Sequence, residues 1–180
     1  MAQVGYRLEE LTRALRGREL TDLRIAGVSE PPDLVLDNHA VFLEFEGTIV
    51  RFEGPRDVLG MRIDIVESFG VSSWWDLEDD DVVLSVGLLE NAVHQAPCGA
   101  EYLRLWSPLV VDGVLVVAAA EFEFPPKREA ARFNFSTSAL FIDPCYYWGV
   151  RFGGSDVRDA CFHNRPELVD APQTVLELAG

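Results

Sequence analysis

The stretch AVFLEFEGTIVRFEG, residues Ala40 to Gly54, constrains this chain most, because its alternation fits a β-hairpin and little else. With Glu46-Gly47 as a two-residue turn, Phe45 falls opposite Thr48, Leu43 opposite Val50, and Val41 opposite Phe52. Side chains alternate with a period of two, so these six residues share one face, and only Thr48 among them is polar. The other face carries Phe42 and Glu44 against Arg51 and Ile49, with Glu53 beyond. This register predicts one face turned to a core and one turned mostly to water. Gly47 supplies the positive φ that a primed hairpin turn needs.

The flanking sequence extends the same architecture. Tyr6 to Arg16 predicts an amphipathic helix, with Leu8, Leu11 and Leu15 on one stripe and Gly17 positioned to end it. Glu19 to Ala26 reads as a strand, Asp37-Asn38-His39 as a turn into the hairpin, Met61 to Phe69 as an alternating strand, and Val82 to Leu89 as a central one. Asp112-Gly113 marks a second hairpin joining Tyr102–Val111 to Val114–Phe124, with Pro108 requiring a bulge or an edge position. Arg132 to Ile142 and Tyr146 to Phe152 read as strands separated by an Asp143-Pro144 turn. Arg158 to Pro166 reads as irregular, and Gln173 to Leu178 fits a short strand or a short helix. Eight to ten strands and one helix predict a strand-dominated α+β fold. It is a mostly antiparallel curved sheet, sandwich or half-open barrel, with the N-terminal helix packed on it. No linker or composition shift divides residues 1–180, so one domain is expected.

Charge narrows the function classes. The 180 residues carry a formal net charge of −15. From Asp57 to Glu101 there are ten carboxylates (Asp57, Asp64, Glu67, Asp76, Glu78, Asp79, Asp80, Asp81, Glu90 and Glu101) against Arg62 alone, which leaves −9. Phosphate contacts need clustered Lys and Arg, so this balance argues against nucleic acid and against anionic membranes. No apolar run approaches the roughly 18 residues of a membrane helix. The amphipathic N-terminus does not resemble a secretory signal, and the three cysteines, Cys98, Cys145 and Cys161, give no disulfide framework. Together these point to a cytoplasmic protein. Its cations are 14 Arg and one Lys, a skew that fits a GC-rich, bacterial genome.

The residues that stand out as a site are Trp74, Trp75, Asp76, Glu78, Asp79, Asp80 and Asp81. Two tryptophans beside dense negative charge form an aromatic anchor with an acidic rim, a pattern suited to binding a basic protein partner. The run is contiguous and lacks the alternate ligand spacing and glycine of a calcium loop, so no metal is expected there. The plainer reading is that the tryptophans plug the core beneath a solvated loop. His94-x3-Cys98 and Cys161-x-His163 hold ligand types that zinc accepts, without a tight Cys-x2-Cys knuckle, and a buried cysteine more often packs as a small hydrophobe.

No phosphate loop, dinucleotide fingerprint or nucleophile elbow occurs, and Lys127 is the single lysine. Glu121 and Glu123 look like the wet face of a sheet rather than an acid/base pair. The aromatics from Tyr102 to Trp148 either fill a core or line a pocket for an apolar ligand. The sequence therefore predicts a non-enzymatic, acidic interaction module with no cofactor, binding a basic protein as immunity proteins neutralise basic toxins. That comparison rests on charge and size. The alternative is a small-molecule binding protein or enzyme with an aromatic-lined pocket in a curved sheet or barrel, and a third is a structural or assembly protein, whose sign would be a self-complementary edge strand or an oligomer such as a homodimer.

Overall fold

In a computed structural model, which describes residues 2–28, 37–54, 60–69, 82–85, 98–125, 139–146 and 149–180, the hairpin forms in the expected register. Strand β2 (Asp37–Phe45) pairs antiparallel with β3 (Thr48–Glu53), placing Val41 opposite Phe52, Leu43 opposite Val50 and Phe45 opposite Thr48. Glu46 and Gly47 both take positive φ, 46° and 85°, as a type I′ turn demands. Asp37 to His39, expected as a turn, are the first residues of β2, where Asp37 and Asn38 pair with Val28 and Gly27 of the preceding strand and the register slips at His39.

Around the hairpin the chain builds two antiparallel sheets that do not close into a barrel. The first sheet adds β1 (Glu19–Val28), β4 (Met61–Val66), β5 (Val82–Ser85), β8 (Leu109–Val111) and β9 (Val114–Val117). Its order is β5-β1-β2-β3-β4-β9-β8, with the short β6 (Cys98–Gly99) also on β1. Val82–Ser85, expected as a central strand, thus ends the row of described strands. The second sheet runs β12-β11-β10-β7-β13, from β7 (Tyr102–Trp106), β10 (Ala119–Glu123), β11 (Ala139–Tyr146), β12 (Gly149–Gly153) and β13 (Gln173–Glu177).

One bent ribbon joins the sheets. The hairpin around Asp112-Gly113 keeps a single register from Val111 opposite Val114 out to Tyr102 opposite Glu123. Its inner half, β8-β9, belongs to the first sheet, and its outer half, β7-β10, to the second. The bend falls at Ser107, whose φ is 48°, and at Pro108, which cannot donate to a ladder. As Pro108 implied, β8 lies at the edge among the described strands. The sheets also approach at Gly54 and Gly149, where a Cβ on Gly54 would stand 2.6 Å from the Gly149 carbonyl oxygen.

Val41, Leu43, Phe45, Val50 and Phe52 from the first sheet meet Leu103, Leu105, Phe122, Leu140 and Ile142 from the second. Phe122 sits 5.5 Å from Phe45 and 5.9 Å from Phe52 between ring centroids, locking the sheets face to face. Helix α1 (Ala2–Leu15) buries Leu11 and Leu15 and rests Leu8 on this core, the stripe its periodicity predicted. Gly17, at φ 71°, ends it, and its N–H donates to Leu178 O at 2.8 Å.

The outer faces depart from the sequence expectation. Phe42 and Ile49, assigned mostly to water, are buried with Ala26 and Ala40 in a second apolar cluster, and Phe42 meets Phe69 edge to face at 5.7 Å. Over the second sheet lies a helix, α2 (Ser155–Asn164), where the sequence suggested irregular chain. It covers Trp106, Phe141 and Ala119 with Cys161 and Phe162. Asp143-Pro144, expected as a turn, lies inside β11, where the register slips between Asp143 and Tyr146 and so accommodates the proline.

Candidate functional site

The acidic tryptophan stretch, Trp74, Trp75, Asp76, Glu78, Asp79, Asp80 and Asp81, lies outside the described residues, as does His94. Among the described residues, the side chains with chemistry converge on the sheet faces outside the main core.

Beneath α2, Asp143 is fully buried. It projects from β11 directly opposite Arg151 of β12, whose Nη2 donates to Oδ2 at 2.9 Å. Arg165, just past the end of α2, brings Nη1 to 3.8 Å from Oδ1 and donates to Ala118 O at 3.0 Å. A carboxylate taken from water requires such pairing, so the two arginines tie β12 and the helix end to the middle of the sheet. A second tie lies one turn into the helix, where Arg158 Nη1 reaches Glu121 Oε2 at 3.4 Å. Burial, and then the Glu123 carboxylate, raise the Glu121 pKa, against the lowering effect of Arg158 and Arg104. Glu121, expected on a wet face, is therefore buried under α2, while Glu123 stays at the rim, 2.8 Å from Arg104 Nη2.

Of the three cysteines, Cys161 alone has a described side chain, and it lies in the same place. Cys161 faces inward from α2 and is fully buried. Burial first, and then the neighbouring Asp143 carboxylate, push its thiol pKa up to about 12. At neutral pH it is a protonated thiol, the opposite of an activated nucleophile. Residues two apart on a helix point about 200° from one another, and His163 is accordingly exposed, so the Cys161-x-His163 pair does not share a face. Among the described residues no group of three or more His, Cys, Asp or Glu could hold a metal ion.

The outer face of the first sheet carries a further ionic cluster. Arg51 lies opposite Asp64, with Nη2 to Oδ2 at 3.1 Å, and its Nε is 3.4 Å from Glu53 Oε2. Arg62 Nη2 reaches Asp64 at 4.0 Å. Elsewhere Arg24 pairs with Asp22 and Arg7 with Glu10, both at 2.7 Å.

No family model, curated protein or solved structure matches this chain. What can be read comes from the arrangement itself. Its described carboxylates with buried side chains, Glu53, Glu121 and Asp143, are each engaged by arginine. Of the described aromatics between Tyr102 and Trp148, Trp106, Phe122 and Phe141 are packed, Phe124 is half-buried and Tyr102 is exposed. Trp106, Phe141 and Phe162 form a triangle of edge contacts at 5.6–5.8 Å, and Phe122 fills the centre of the sandwich. Sequence reasoning missed the buried role of Asp143, because an Asp-Pro pair is the ordinary signature of a turn. The one available signal was Arg151, eight residues on, at hairpin distance. Among the described residues no helix is long and apolar enough to cross a membrane.

Proposed function

We propose that this protein is a non-enzymatic, acidic interaction module that captures a basic protein partner, in the manner of an immunity protein facing a cationic toxin. The observation that carries this reading is the excess of carboxylates over cations. In a chain of net charge −15, Arg7, Arg24, Arg51, Arg62, Arg104, Arg151, Arg158 and Arg165 are all committed to ion pairs with the protein's own carboxylates. Each pair neutralises one arginine with one carboxylate, so the excess of −15 is left to set an outward field that is negative and favours a cationic partner.

Trp74 and Trp75 would supply buried contact area, and Asp76, Glu78, Asp79, Asp80 and Asp81 would steer the encounter and pair with Arg or Lys across the interface. A packed aromatic core and a Cys161 thiol held protonated favour binding over catalysis. The reading is tested by association kinetics with the captured partner. Replacing Asp79, Asp80 and Asp81 together with Asn should slow association and flatten its salt dependence while leaving thermal stability unchanged. Identical kinetics in the triple variant would refute the assignment of this surface.

A further inference from the structure

Strand β13 ends the second sheet, with β7 on one side and, among the described residues, no strand on the other. The ladder shows which backbone groups face outward. Ser107 N donates to Pro172 O at 2.7 Å and Leu178 N donates to Glu101 O at 2.8 Å. Backbone groups alternate along an antiparallel strand, so Thr174 and Leu176 turn theirs to β7, as do the Pro172 carbonyl and the Leu178 N–H, and Gln173, Val175 and Glu177 turn theirs out. Arg16 marks the same direction, since its Nη2 donates to Glu177 O at 3.4 Å, an exposed contact that leaves the carbonyl's second lone pair for a partner strand. The strand, QTVLE, has none of the lysine, proline or bulge that blunt an exposed edge, and Val175 is 44% exposed.

We propose that β13 is a dimerisation edge, pairing antiparallel with β13 of a second copy of this chain about a twofold axis between the two Val175 residues. The occupant is a second copy because the edge is complementary to itself. In this register Val175 meets Val175, and Gln173 meets Glu177 on both sides of the axis. Arg104 Nη1 already donates to Gln173 Oε1 at 3.1 Å, which leaves the amide N–H groups of Gln173 to donate to the Glu177 carboxylate across the axis. Alongside the strand, Leu8, Glu9, Thr12, Arg13, Arg16 and Leu176 line an open groove.

Two copies of net charge −15 repel, so this dimer tightens as salt is added, the reverse of what a basic partner would do. Sedimentation equilibrium of the full chain, at about 0.01 M and about 1 M NaCl, spans screening lengths of roughly 30 to 3 Å. The expected result is a reversible monomer–dimer equilibrium, tighter at high salt, with slowed amide exchange at Val175 as concentration rises. Val175→Lys places like charges directly opposite one another and should weaken the dimer about tenfold or more, with circular dichroism unchanged. A wild-type chain that stays monomeric at both salts, or V175K dimerising as tightly as wild type, would overturn the proposal.

Discussion

Removing the Asp143 carboxylate tests the packing of α2 most severely. The side chain has no exposure and engages Arg151 at 2.9 Å and Arg165 at 3.8 Å. Deleting one partner of a fully buried ion pair destabilises by about 3–5 kcal/mol, mainly because the other charge is stranded. Here the stranded arginines keep 27% and 22% of their side-chain exposure, and Arg165 retains Ala118 O as an acceptor. Both can be partly rehydrated, so the expected loss for Asp143→Ala is smaller, about 2–3 kcal/mol. For a chain of this size that corresponds to a fall in Tm of roughly 5–10 °C. Calorimetry measures the fall. A thiol reagent supplies a local readout, because Cys161 is sealed under the same helix and should label faster in the variant at temperatures well below its Tm. A loss below about 0.5 kcal/mol with unchanged labelling would refute the view that this carboxylate anchors the helix, since that is the range of an ordinary surface substitution.

Three further outcomes follow from the same reasoning. Glu121 has a folded-state pKa raised above 4.5 by burial, so the folded chain holds this proton more tightly than the unfolded chain. Its contribution to stability is therefore full below that value and is lost as pH rises through the folded pKa. Glu121→Gln should remove this falling limb, and identical pH–Tm profiles for the two proteins would contradict it. Gly54→Ala forces a methyl group toward the Gly149 carbonyl, one backbone against another, and should destabilise by about 1–3 kcal/mol in denaturant titration; an unchanged midpoint would mean that the sheets are free to separate there. Asp79, Asp80 and Asp81 replaced by Asn should leave Tm within about 1 °C of wild type while slowing partner association, and a large fall in Tm would show these carboxylates to be structural.

The elements legible in the sequence are those specified locally. Glu46-Gly47 and Asp112-Gly113 fix two turns, period-two alternation fixes the register on either side, and Leu8, Leu11 and Leu15 fix the stripe of α1. The elements that escaped depend on distant cover. SDVRDACFHN has no continuous apolar stripe, because α2 is held by ionic ties at Arg158 and by Arg165 just beyond its end, together with a small inward face at Cys161. Phe42 and Glu121 looked half-exposed because alternation reports which residues share a face and says nothing about whether that face is covered. Asp143-Pro144 carried turn chemistry into a strand that absorbs the proline with a register slip. The tryptophan–aspartate stretch was legible as composition alone, and the arginine pairing that sharpens its meaning emerges only from cross-strand registers such as Arg51 with Asp64.

The most direct test of the central claim is affinity capture with the tagged full chain from its native host at low salt, repeated at high salt. The account predicts one basic protein recovered at low salt and lost at high salt, with recovery reduced for the variant in which Asp79, Asp80 and Asp81 are Asn. A partner retained equally at both salts, or no protein partner at either, would contradict a charge-steered interaction module.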